Sequence, residues 1–159
     1  MNQKQITYYR NTPTPEQLEI QQYALEVANF CAKILREEYE VERVVMFGSM
    51  GQTPQFIRHH PELTLSIDSD LDIAIFGGQP DKDFSRYLHA LGSCQDIANY
   101  LYHKFSIPYF EVDLVLASIM LPPMLKNIES GIEIGKELIL KREANTTLQD
   151  IQRANRERV

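Results

Sequence analysis

In Asp68-Ser69-Asp70-Leu71-Asp72-Ile73-Ala74-Ile75-Phe76, two aspartates one residue apart, Asp70 and Asp72, open an apolar run with the length of a buried strand. Side chains alternate along a strand, so both carboxylates leave one face while Leu71, Ile73 and Ile75 leave the other, toward a core. Two negative charges side by side repel unless one is protonated or a cation lies between them. Mg²⁺, a hard ion bound by carboxylate and phosphate oxygens, is the natural candidate. Asp-Ser-Asp is also good turn chemistry, because Asx side chains bond their own backbone. Asp68 and Ser69 suit that simpler role. Asp72, set among Leu71 and Ile73 to Phe76, suits it poorly, because an acid inside an apolar strand needs a partner.

Outward from this run, Val41 to Phe47 is β-branched and apolar and reads as a strand ending in Gly48-Ser49. Glycine permits a tight turn and close approach to a ligand, and a turn into a helix start presents N–H groups suited to phosphate. Tyr109 to Ala117 reads as a third strand. In it Val112, Leu114 and Leu116 share one face, and Glu111 and Asp113 the other. If this strand lies beside the Asp70 strand with apolar faces aligned, Asp113 joins the other two carboxylates. A glycine-serine turn, an Asp-x-Asp pair and a third Asp together suit two-metal phosphoryl chemistry, in which two ions about 3.5–4 Å apart clamp the attacking and leaving oxygens. The third carboxylate can ligate metal and help take the proton from an attacking hydroxyl.

Helical patterns fill the intervals. Thr14-Pro15-Glu16-Gln17 has the form of a capping box, and apolar residues at helical spacing carry the helix to about Glu40. A second long helix covers Leu88 to Phe105, with Pro108 as its stop, and a third covers Leu121 to Ser130, ended by Gly131. The chain divides into a flexible N-terminus (1–13), one domain (14–140) and a charged C-terminal helix or tail (141–159). Its 159 residues suffice for a single buried core.

Net charge is −6, which argues against stable nucleic-acid binding, since that depends on Lys and Arg neutralising phosphates. No stretch approaches the length of a membrane span and no signal core opens the chain, so a cytoplasmic protein with no membrane partner is expected. Cys31 and Cys94, the two cysteines, fall in apolar helical patterns and read as buried thiols.

At Phe47-Gly48-Ser49, Ser69-Asp70-Leu71-Asp72-Ile73-Ala74-Ile75 and Val112-Asp113-Leu114-Val115, the chain resembles the DNA polymerase β-like nucleotidyltransferase superfamily. More closely it resembles the minimal nucleotidyltransferase group, small proteins often encoded beside HEPN-domain toxins and acting as their antitoxins. Leu125 to Ile132 is similar to that family's last helix. The resemblance implies an α+β (α/β-like) fold, a small mixed β-sheet flanked by helices in the nucleotidyltransferase arrangement. It further implies that Gly48 and Ser49 hold the triphosphate of ATP and that Asp70, Asp72 and Asp113 bind Mg²⁺. The implied activity is protein adenylyltransfer, AMP passing from ATP to a hydroxyl, a tyrosine of a cognate HEPN ribonuclease toxin. The alternatives are a non-catalytic antitoxin acting by complex formation and a nucleotidyltransferase with a small-molecule acceptor. Two features depart from the family pattern. The link from Met50 to Ser69 is longer than usual, with Gln55-Phe56-Ile57-Arg58-His59-His60 its most distinctive part. Gly51 stands where the family often carries a basic residue, leaving Arg58 or Lys82 as candidates to replace it.

Overall fold

The computed structural model describes residues 15–51, 70–135 and 146–157, with side chains from residue 19 onward. Thr14, Asp68, Ser69, the Arg58-His59-His60 stretch and the N-terminal residues 1–13 lie outside the described residues. What is described is a mixed α+β fold: five helices and a four-stranded sheet. In chain order they are α1 (Pro15–Tyr39), β1 (Arg43–Phe47), β2 (Leu71–Phe76), α2 (Gln79–Lys82), α3 (Phe84–Phe105), β3 (Val112–Leu116), α4 (Pro122–Glu129), β4 (Ile132–Ile134) and α5 (Leu148–Glu157). A 3₁₀ turn, Ala117–Ile119, follows β3.

The sheet order is β3-β2-β1-β4, with β1 antiparallel to both β2 and β4, and β2 parallel to β3. Parallel pairing requires a crossover, and α3 supplies it. Its start is capped by the Asp83 carboxylate, which accepts from the Ser85 N–H at 2.9 Å. Its end is set at Ser106, a left-handed residue (φ 57°) whose N–H returns to the Tyr102 carbonyl. The helix therefore ends at Phe105, three residues before Pro108, because the left-handed cap has already turned the chain.

Alternation along the strands divides the sheet into two unlike faces. Val44, Met46, Leu71, Ile73, Val112 and Leu114 enter the main core under α1 and α3. Each such fully buried side chain contributes on the order of 1.5–3 kcal/mol. Within this layer the Tyr39 and Ser93 hydroxyls hydrogen-bond at 2.7 Å, joining α1 to α3. Cys31 and Cys94 are buried free thiols on the same two helices, and their hydrogen bond, with burial, pushes the Cys31 thiol pKa up.

Among the described residues, the opposite face is covered only in part. Ile128 of α4 packs there on Val45, Phe47 and Ala74. Arg43 closes its edge, reaching Glu129 and Glu133 at 2.7–3.0 Å with its guanidinium over the Phe76 ring. β4 was not legible as a strand: Ile132-Glu133-Ile134 is too short for a periodicity and exists because β1 offers it an edge.

Within 141–159, residues 148–157 form α5, opened by a reciprocal cap in which Thr147 and Asp150 exchange backbone-to-side-chain bonds at 3.1 Å. Leu148 and Ile151 are buried, and Asn155 bonds the Asp96 carbonyl, so this helix is packed on α3 rather than free. No helix among the described residues is long and apolar enough to cross a membrane.

Candidate functional site

The strand directions bring the C-terminal end of β1 and the N-terminal ends of β2 and β3 to one end of the sheet. Asp72 is the antiparallel partner of Phe47 and the parallel partner of Asp113. Paired residues on neighbouring strands point to the same face about 4.8 Å apart, so the Asp72 and Asp113 carboxylates stand side by side. They lie on the partly covered face, away from the core that takes Leu71 and Ile73. Asp70 precedes β2 and is exposed, Asp113 is exposed, and Asp72 is half-buried.

This environment acts on the Asp72 carboxyl. Burial, then the charge of Asp113, then that of Asp70 push its pKa up to about 6. Both neighbouring carboxylates thus act on Asp72 electrostatically.

Gly48 lies directly over this group. Its φ is +71°, which side-chain-bearing residues rarely adopt, and a Cβ there would overlap the Asp72 Oδ2 and stand 3.2 Å from its carboxyl carbon. Glycine is therefore required twice, once by the turn and once by the carboxylate beneath it. The turn closes with the Gly51 N–H on the Gly48 carbonyl at 3.2 Å, leaving Ser49 half-exposed beside Asp72's end of the sheet.

Among the described residues, no group of three His, Cys, Asp or Glu side chains is drawn together closely enough to form a metal cage. Asp72 and Asp113 are a pair, with Asp70 beside them outside the strand. That donor set still fits Mg²⁺, which commonly takes one or two carboxylates and completes its shell with water and substrate phosphate. A cation there would also relieve the repulsion that raises the Asp72 pKa.

Lys82, a candidate replacement for the basic residue absent at position 51, is not at this site. It lies in α2, beyond the far end of β2 and its Gly77-Gly78 turn, and the strand alone places about 13 Å between Asp72 and Phe76. Arg58 lies outside the described residues. A cavity of about 560 Å³ lined by Lys33, Arg36, Glu40 and Glu42 is also at that far end. Its Arg36 is engaged structurally, donating to the Ile134 and Gly135 carbonyls.

Two residues near the site escaped sequence reading. Tyr87 of α3 donates its hydroxyl to the Leu114 carbonyl at 2.6 Å, and burial with the charge of Asp113 pushes its pKa up. Nothing in the local pattern distinguishes it from other helix aromatics. Gln21 of α1 is buried and donates to the Met50 carbonyl at 2.9 Å. Its signal was present, a polar residue continuing the apolar stripe of Ala24, Ala28, Cys31 and Leu35. No family model matches this chain, and no curated protein matches its sequence.

Proposed function

We propose that this protein is a Mg²⁺-dependent nucleotidyltransferase of the nucleotidyltransferase fold, transferring AMP from ATP to a hydroxyl of a protein acceptor. The observation that carries the proposal is the stacking of the Gly48 turn on Asp72, with Asp113 in register beside it. A glycine turn over a carboxylate pair is a place where a polyphosphate and a divalent cation can meet. In this reading the Gly48-Ser49 turn holds the phosphate tail, through backbone N–H groups and the Ser49 hydroxyl. Asp72 and Asp113, with Asp70, would hold Mg²⁺, which when bound neutralises charge on the phosphates. Asp113, the exposed member of the strand pair, accepts the proton of the attacking hydroxyl. The hydroxyl oxygen bonds to the α-phosphorus, the bond from that phosphorus to the bridging oxygen breaks, and pyrophosphate leaves with the electron pair.

The acceptor proposed is a tyrosine of a HEPN-domain ribonuclease toxin, which makes the protein an antitoxin. This part rests on the likeness of the three motifs to minimal nucleotidyltransferases. Adenylylation would add bulk and negative charge beside the toxin's catalytic groups. The test combines purified protein, labelled ATP, Mg²⁺ and the product of the neighbouring gene. Label should pass to that product, and Asp70→Asn or Asp72→Asn should abolish transfer. Label that persists in the double variant overturns the mechanism. Full protection of cells by that double variant would instead support neutralisation by complex formation.

A further inference from the structure

Gln21 occupies a position that its own helix would fill with an apolar residue. The inward stripe of α1 runs Leu35, Cys31, Ala28, Ala24 at alternating steps of three and four, and one further step reaches Gln21. The residue is only 5% exposed, in a place where a polar group without a partner is costly. Its amide meets that demand by donating to the Met50 carbonyl, 29 residues along the chain and inside the turn that begins at Gly48.

The rest of that turn is tightly held. Met50 is fully buried. Gly51 is buried with its α-carbon packed on the backbone of Met46 and Phe47, so closely that a Cβ there would overlap both. No basic side chain fits at position 51 without displacing that backbone. The lower half of the turn is therefore an anchor, and in its upper half Gly48 lies over Asp72 with Ser49 next along the chain.

We propose that Gln21 is a positioning residue that sets the height of the Gly48-Ser49 turn above Asp72, and so governs affinity for the polyphosphate tail. This rests on the nucleotidyltransferase reading of the site. Gln21 touches neither phosphate nor metal and acts through the Met50 carbonyl. Its loss frees that carbonyl to draw the turn toward solvent, while Asp72 and Asp113 stay fixed by their strands. Binding should suffer before chemistry does.

The test uses Gln21→Met, which keeps length and apolar bulk but removes the donor, and Gln21→Asn, which keeps the amide one methylene shorter. Two quantities are read: the Kd for Mg²⁺-tripolyphosphate by calorimetry, and the KM for ATP against kcat in acceptor labelling. Gln21→Met should weaken tripolyphosphate binding and raise KM by about tenfold, with kcat at saturation changed less than about threefold. Gln21→Asn should fall between it and wild type. A Gln21→Met protein that folds, by circular dichroism, and binds tripolyphosphate as wild type does overturns the role, as does a loss confined to kcat. If Gln21→Met does not fold, Gln21→Asn decides, and wild-type affinity there overturns the proposal. A wild-type protein that binds neither tripolyphosphate nor ATP with Mg²⁺ refutes the underlying site reading instead, a result distinguishable because it precedes any variant.

Discussion

Replacing Asp72 with asparagine should stabilise the metal-free protein above pH 6 while abolishing transfer. Burial and two neighbouring carboxylates raise the Asp72 pKa from an ordinary ~3.9 to about 6 in the folded state. A group that binds its proton more tightly when folded favours folding below its unfolded pKa, and loses that contribution as pH rises through its folded pKa. The penalty is therefore absent near pH 4, grows between about pH 4 and 6, and is complete above. A shift of roughly two units corresponds to just under ~3 kcal/mol. Asp72 is half-buried, so solvent screening reduces this to about 1–2 kcal/mol. Asparagine has the same shape, fits beneath Gly48 and carries no charge.

The assay is urea unfolding at 25 °C with EDTA present, at pH 7.5 and at pH 4. At pH 7.5 Asp72→Asn should be more stable by about 1–2 kcal/mol, equivalent to about 2–8 °C in Tm for a chain of this size. At pH 4 the two proteins should coincide. Mg²⁺ should then stabilise wild type and leave the variant unchanged, because only a state that binds ligand gains by mass action. A variant less stable at pH 7.5, or equally improved at both pH values, would refute the electrostatic reasoning and show that Asp72 acts through packing alone.

The turn and the C-terminal helix give sharper local tests. Gly48→Ala places a Cβ on the Asp72 carboxylate at positive φ; it should cost about 1–3 kcal/mol in denaturant midpoints and reduce nucleotide binding at least tenfold. Thr147→Ala removes the reciprocal cap of α5 and should cost about 1 kcal/mol, with faster amide exchange confined to that helix and no change in transfer rate. Slowed transfer in Thr147→Ala would show that α5 supports the site, which its packing on α3 does not lead one to expect.

Much of this protein was written locally. The alternation of Leu71, Ile73 and Ile75 against Asp72, and of Val112 and Leu114 against Asp113, assigns each side chain to a face, because a strand's period is two wherever it lies. Helical spacing marked α1, α3 and α4 to within a few residues at their ends. The Gly48-Ser49 turn was visible because the apolar strand stops there. Other features had no local signature. β4 is three residues long and is a strand only because β1 has an open edge. For α5 the sequence left a charged helix or a tail open, since Leu148 and Ile151 are the fully apolar inward contacts of a largely polar stretch and their packing on α3 is a tertiary matter.

The candidate site shows the same division. The sequence by itself determined that Asp72 and Asp113 each turn away from a core, a consequence of backbone geometry that needs no tertiary partner. Only the tertiary structure decided that β3 lies beside β2 in the register that pairs them, since residues 41 positions apart meet through the crossover of α3 and the matching of two apolar faces. It alone placed Gly48 on the Asp72 carboxylate and Gln21 against the turn, and it alone brought together the burial and neighbouring charges that raise the Asp72 pKa. Faces follow from the period of a strand; neighbours follow from how the whole chain buries its apolar surface.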